Sequence, residues 1–292
     1  MRDVSQKHDG KTHRDENFPV ASWLIRSQHR APILAFYNFV RAADDVADDP
    51  ALTMEQKITQ LDRLEEDLTG SSSGDLRATA LRRALAQRNM DARHALDLLK
   101  AFRLDAKKRR YANWDQLIAY CALSAMPVGR FVLDLHGESP ATWAASDALC
   151  AALQIINHLQ DCGADYRMLD RVYLPLDVLA KHAADVEALG APTASPMLRA
   201  SIADLARRAE RLLSDGEQLA ASIVDWRLGL EISVIHGLAS RLAQMLTRRD
   251  PLAEETHMGK LAASGVAFRA IARVAAQRVR TDRRQSAQGA RR

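Results

Sequence analysis

Two segments of this chain put carboxylates on stretches otherwise built for burial, and that pairing constrains the fold more than any other feature. The first is "YNFVRAADDVADD", Tyr37 to Asp49. At 100° per residue, Tyr37, Arg41, Asp44 and Asp48 fall within about 60° of one another. Asp45 and Asp49 lie beside that stripe, while Ile33, Leu34, Phe36 and Phe39 cover other faces. The second is "LQIINHLQDCGAD", Leu153 to Asp165. Here Gln154, Asn157, Asp161 and Asp165 share a stripe roughly 80° wide. Leu153, Ile155, Ile156 and Leu159 surround it.

Taken alone, either stripe reads as the solvent side of an amphipathic helix. Aspartate argues against that reading, because it forms helix poorly and a solvated face is usually Lys, Glu and Gln. Carboxylates four residues apart also repel by a few tenths of a kcal/mol unless a cation intervenes. Carrying this arrangement twice points to cation binding. Carboxylate oxygens suit hard ions, and Mg²⁺ held by one or two carboxylates plus substrate phosphates fits best. No His/Cys set accompanies the aspartates, which argues against zinc there. The spacing therefore predicts a magnesium–diphosphate site between two facing helices.

The rest of the chain must supply those helices. Hydrophobic residues make up 47% of 292, with few glycines and prolines and 5% aromatics, a balance that favours helix over sheet. Helices are predicted from Pro32 through the first stripe, after the cap Thr53, and over about 76–89, 91–108, 114–125, 127–136, 142–163, 197–222, 226–248 and 257–281. Pro127 should kink or restart one of them. "ENFPVASWL" starts the folded part, and "TGSSSGD" is a loop. The expected architecture is a single all-α domain over residues 17–283, after a disordered segment 1–16 and before a basic tail 284–292. No nucleotide fingerprint occurs. Cys121, Cys150 and Cys162 make neither a disulfide framework nor a zinc spacing, which suits a reducing cytoplasm. The polar N-terminal stretch leads us to expect no secretory signal.

The formal net charge of +4 concentrates at the end, in "RVRTDRRQSAQGARR". One reading is a solvated tail. Another joins it to Phe268, Ile271, Val274, Ala275 and Val279, an apolar stripe flanked by Arg269, Arg273 and Arg280. Such a helix can lie on an anionic membrane face, and it can equally dock on the core. Nucleic-acid binding is not expected, because no aromatic-basic interleaving accompanies the charge.

"YNFVRAADDVAD" resembles the first aspartate-rich motif of the squalene and phytoene synthase family, head-to-head isoprenyl diphosphate synthases. "QIINHLQDCGADYRMLDRVYLP" resembles the second, and "AYCALSAMPVG" the kinked, tyrosine-bearing helix between them. The resemblance implies an isoprenoid synthase fold, a helical bundle around a central cavity. It implies Mg²⁺, more than one ion, on Asp44, Asp48, Asp161 and Asp165. It implies diphosphate contacts from Arg41, Arg171 and Ser22, with Gln154, Asn157 and Tyr120 at the reaction centre. Phe102, Met126, Phe131, Val132 and Leu133 are candidates for the apolar lining, although each also reads as ordinary core.

Two departures stand out: Gln160 where arginine is frequent, and Asp170 where glycine is common. With "NFPVASWL", they resemble the hopanoid-pathway branch of the family. That branch implies presqualene diphosphate as substrate, ionisation, rearrangement and quenching by water to hydroxysqualene, without NADPH. It implies a partner enzyme making presqualene diphosphate and a later reductase or dehydroxylase. Alternatives are squalene or presqualene diphosphate formation from farnesyl diphosphate, and a catalytically inactive helical scaffold or membrane adaptor. Localisation is expected to be cytoplasmic, with peripheral contact to the inner membrane face.

Overall fold

Local chemistry sets the helix boundaries, as Thr53 illustrates. Its hydroxyl accepts from Gln56 N–H at 3.3 Å, and Gln56 Oε1 accepts from Thr53 N–H at 2.8 Å. This reciprocal cap starts α2, Met54–Thr69, which ends at Gly70 in the left-handed region (φ 95°). The loop beyond is pinned by Asp67, whose carboxylate accepts from Ser72 Oγ and from Gly74 N–H and Asp75 N–H at 2.7 Å each.

The structure is a computed structural model that describes residues 24–256 and Gly265. Its first helix, α1, is Ser27–Asp48. Pro32 was expected to open it but sits inside it. A proline there removes the N–H that would have bonded Gln28 O; Arg88 Nη2 donates to that carbonyl instead. After α2 come α3 (Leu76–Ala86), α4 (Arg93–Asp105), α5 (Trp114–Ser124) and α6 (Met126–Leu135), with Pro127 in the first turn of α6 as expected. Then follow α7 (Trp143–Gln160), α8 (Cys162–Leu169), α9 (Leu176–Lys181), α10 (Pro196–Asp215), α11 (Leu219–Ser222) and α12 (Trp226–Leu246).

Two long helices are shorter than expected. The predicted 142–163 helix stops at Gln160, because Asp161 adopts φ −96°, ψ 4°. Asp161 N–H still bonds Asn157 O, and Asp165 N–H still bonds Asp161 O, both at 2.9 Å, so the second stripe survives the break. The predicted 197–222 helix divides at Gly216. Among the described residues there is no strand, only a single parallel bridge between Arg110 and Val172.

The helices bury one contiguous core. α1 packs on α3 and α4, while α7 packs on α6, α10 and α12, leaving space between α1 and α7. Phe36 of α1 stacks on Phe131 of α6, with centroids 3.9 Å apart. Trp114–Leu135 is long and apolar enough to cross a bilayer. Here it is broken at Ala125 and packs against α4 and α7, with Leu117, Phe131 and Leu133 in the core. The basic stripe at 268–279, the flanking segments 1–16 and 284–292, and Ser22 all lie outside the described residues.

Candidate active site

The space between α1 and α7 is a cavity of about 1430 Å³, larger than the roughly 300–1,000 Å³ of common small-molecule pockets. Arg41, Asp44 and Asp48 line it from α1, and Gln154, Asn157, Asp161 and Asp165 from α7 and α8. Arg171 and Tyr120 line it as well. So the structure brings every expected site residue within its described range to one cavity. Ile33, Phe102, Val132, Leu133, Leu153, Leu228 and Ile232 give the same cavity an apolar wall. Met126 and Phe131, two of the five lining candidates, do not reach it. Both are buried, and the Phe131 ring is used by the stack on Phe36.

The two stripes feel each other. Burial first, then the Asp48 charge, pushes Asp44 up to about 7, against a lowering pull from Arg41. Burial, then Asp161, then Asp48 across the cavity, pushes Asp165 up to about 7. The Asp44 side chain keeps 34% of its surface exposed to the cavity, which moderates that rise. Arg41 pairs with Asp44 at 2.7 Å and Asp45 at 3.0 Å. Arg171 is buried, bonds Asp48 and donates to Ala47 O at 2.9 Å. Both guanidiniums expected to contact diphosphate are therefore held by the first aspartate motif. The Nε of each has no partner.

Mg²⁺ fits this donor set. Four carboxylates face one cavity, and burial together with their mutual repulsion lifts two proton affinities, a cost that a divalent cation relieves. No three of these carboxylates converge within bonding reach of a single ion. Each ion would therefore take one or two of them and complete its shell from substrate phosphate and water.

Behind the aspartates lies a layer that sequence reasoning missed. Asp105 of α4 accepts from Tyr120 Oη at 2.7 Å and from Tyr173 Oη at 2.9 Å. Burial pushes its carboxyl up to about 6, despite the opposing Arg171 charge and the two tyrosine hydrogen bonds. His158 stacks on Tyr173 with centroids 3.6 Å apart, and its Nε2 lies 3.1 Å from Gln154 Nε2. Burial first, then the Arg171 charge, holds His158 down to about 3, so it is neutral. His158 had a sequence signal in its four-residue spacing from Gln154. Asp105 had none, since "FRLDAKK" reads as a solvated helix end.

The two departures have local reasons. Gln160 turns away from the cavity: it is buried, and its Nε2 donates to Thr256 O at 2.8 Å. Asp170 occupies the left-handed region (φ 51°) after α8, where glycine costs least. Its carboxylate pairs with Arg110 at 2.6 Å.

Residues 11–285 match the squalene/phytoene synthase family. The chain belongs to that family. It is 59% identical over 258 residues to the hydroxysqualene synthase of Rhodopseudomonas palustris, covering 88% of each chain. It is 53% identical over 249 residues to the hydroxysqualene synthase of Sinorhizobium fredii, covering 85% of each. The squalene synthase HpnC of Alicyclobacillus acidocaldarius superposes with a TM-score of 0.71 at 30% identity, over 78% of this chain and 87% of that one. The all-α bundle is thus the squalene/phytoene synthase fold, and the facing aspartates occupy its cavity.

Proposed function

We propose that this chain is a hydroxysqualene synthase: Mg²⁺-dependent, acting on presqualene diphosphate, and releasing hydroxysqualene and diphosphate. The observation that carries the reading is the 59% identity to a hydroxysqualene synthase across most of both chains. Two aspartate groups above an apolar cavity support it chemically.

In this reading the carbon–oxygen bond to diphosphate breaks and its electron pair leaves on oxygen. Arg41 and Arg171, and Ser22 beyond the described residues, bind the diphosphate. Asp44, Asp48, Asp161 and Asp165 hold the Mg²⁺ ions. Bound Mg²⁺ supplies Lewis-acid stabilisation of the leaving group's charge. Arg41 and Arg171, paired here with Asp44 and Asp48, would offer their guanidiniums to the diphosphate beside the metal-holding carboxylates. The apolar wall shields the rearranging cation from early attack by water. Gln154, Asn157 and Tyr120 line its path, and one water adds and loses a proton. The Tyr120 proton is committed to Asp105, so this hydroxyl offers the path its lone pairs. The four intact aspartates argue against a scaffold without activity.

A second reading, squalene formation with NADPH, draws on the likeness to HpnC, described as a squalene synthase. Purified protein incubated with presqualene diphosphate and Mg²⁺ in ¹⁸O-labelled water separates the two. Labelled alcohol formed without NADPH supports the proposal; squalene formed only with NADPH overturns it. We place this reaction between an enzyme supplying presqualene diphosphate and one removing the hydroxyl. We place the protein at the inner membrane face, through the arginine-flanked stripe at 268–279. A chain ending at Val266 should then pellet less with anionic liposomes, and unchanged pelleting overturns that contact.

A further inference from the structure

We propose that His29, His136 and Asp225 form a second metal site, for Zn²⁺, away from the aspartates. His29 sits in the first turn of α1, His136 caps the end of α6, and Asp225 caps the start of α12. One donor atom from each lies within 4.8 Å of the other two. Among the described residues no other three His, Cys, Asp or Glu side chains converge in this way. Asp44 is a further fifteen residues along α1, ~22 Å away at the helical rise.

A second observation points to a ligand. His29 is only 6% exposed, yet its Nδ1 has no partner; His136 Nε2 is also buried without one. Orphaned ring nitrogens of this kind are rare unless something fills the gap. His136 Nδ1 lies 2.8 Å from Val132 O, a contact only an N–H can satisfy. Its Nε2 therefore carries a lone pair, in the orientation that backbone carbonyls impose on metal-binding histidines. His29 Nε2 lies 3.1 Å from Gln28 Nε2. Turning that amide over, an exchange of nearly identical atoms, puts its oxygen on the ring, so that Nε2 donates and Nδ1 carries the lone pair toward the metal. The two rings lie against each other tilted by 32°, with centroids 4.1 Å apart.

Asp225 is held ready on the third side. Its carboxylate accepts from Arg227 N–H at 3.1 Å and from Arg26 Nε at 3.1 Å. Arg26 is half exposed and can swing aside. Two neutral imidazoles and a carboxylate suit a borderline ion, with water as the fourth ligand. Magnesium prefers all-oxygen sets, so the two sites sort different ions. Tetrahedral bonds of ~2.0–2.1 Å put ligand atoms ~3.3 Å apart, so binding shortens each donor–donor separation by at most about 1.5 Å. This joins α1, α6 and α12 beside Ile25, Leu133 and Leu228, which line the cavity away from its aspartates. The zinc would act structurally, whatever product the cavity makes.

The test is calorimetric titration of chelator-stripped full chain with Zn²⁺, in excess Mg²⁺ to saturate the aspartates. One zinc per chain is expected, with micromolar or tighter affinity. His29→Ala and His136→Ala should each weaken it at least ~10-fold. His236→Ala, whose ring only bonds Leu213 O, should not. Asp225→Asn keeps a good helix cap and still loses affinity, so the site can be read in a variant with its cap intact. Zinc should raise the melting temperature of the wild type and not of His136→Ala. Absence of zinc binding by the wild type, or wild-type affinity in the three site variants, overturns the proposal.

Discussion

Tyr120 donates its phenolic proton to Asp105 across 2.7 Å, and both residues are buried in the cavity wall. The same carboxylate takes the Tyr173 proton on its other oxygen. One aspartate thereby fixes two aromatic rings, and Tyr173 in turn carries the stacked His158. Asp105→Asn keeps the shape but replaces a charged acceptor with a weaker one that also has protons to place. Hydrogen bonds to charged groups contribute about 1.5–3 kcal/mol. We therefore expect kcat to fall about 10-fold or more while KM moves less than about 3-fold. A variant with wild-type kcat would show that the rings are positioned by packing alone.

The four metal-facing aspartates should not behave alike. Asp44→Ala, Asp161→Ala and Asp165→Ala are expected to abolish turnover and leave the fold intact. Asp48→Ala also strips the buried Arg171 of its carboxylate. Unpairing a buried charge is destabilising by up to about 3–5 kcal/mol, less here because Asp48 is partly exposed. Asp48→Ala should therefore melt lowest of the four. Asp48→Asn should recover much of that stability without recovering activity. Near-normal turnover in any two of the alanine variants at saturating Mg²⁺ would remove the metal assignment.

The raised carboxyls give metal binding a pH dependence of defined sign. Asp44 and Asp165 titrate near 7 when folded, against an ordinary value of 3.8. They hold protons that the unfolded chain has already lost, so their contribution to stability falls as pH rises from about 4 through about 7. His29 and His158, lowered to about 4 and about 3 from 6.5, contribute in the opposite sense up to about pH 6.5. Above that only the carboxyl contribution keeps its slope, so metal-free protein should lose stability between pH 6.5 and 8. Mg²⁺ must displace those protons. Its stabilising effect should be small at pH 5.5 and grow by about 2 °C or more in Tm by pH 8, the shift that ~1 kcal/mol gives in a chain this long. Melting curves with and without Mg²⁺ across that range check it, and a pH-independent Mg²⁺ effect would contradict it.

Much of this site was legible because it obeys helical spacing. The stripes of Asp44 with Asp48 and Asp161 with Asp165 repeat at seven- and four-residue steps, and periodicity survives even the bend at Asp161. Asp105 was not legible, because its partners are 15 and 68 positions away and contacts across helices leave no period in the chain. The boundary errors have the same origin. Pro32 inside α1 is tolerated because Arg88, 60 residues from Gln28, takes the orphaned carbonyl. Gln160, set where the family often has arginine, gave no hint that it would turn from the cavity to Thr256, 96 residues on.

The wall between α6 and α7 gives the last prediction. A Cβ added at Gly129 would lie 2.4 Å from Ser146 Oγ and 2.6 Å from Cys150 Sγ, closer than nonbonded atoms tolerate. All three residues line the cavity, so a glycine here sets how closely the two helices approach and how wide the cavity is. Gly129→Ala gains about 1 kcal/mol in helix propensity, whereas forcing atoms into a packed wall costs about 1–3 kcal/mol. The steric effect should win, lowering Tm by about 2 °C or more and spreading the product distribution as the wall opens. In a Ser146→Ala, Cys150→Ala background the clashing atoms are gone, so the same substitution should become neutral or stabilising. That reversal is a coupling between touching residues, which a general loss of stability would not produce. A Gly129→Ala protein melting at or above wild type would mean that the helices separate without cost and that the glycine does not set the width of the cavity.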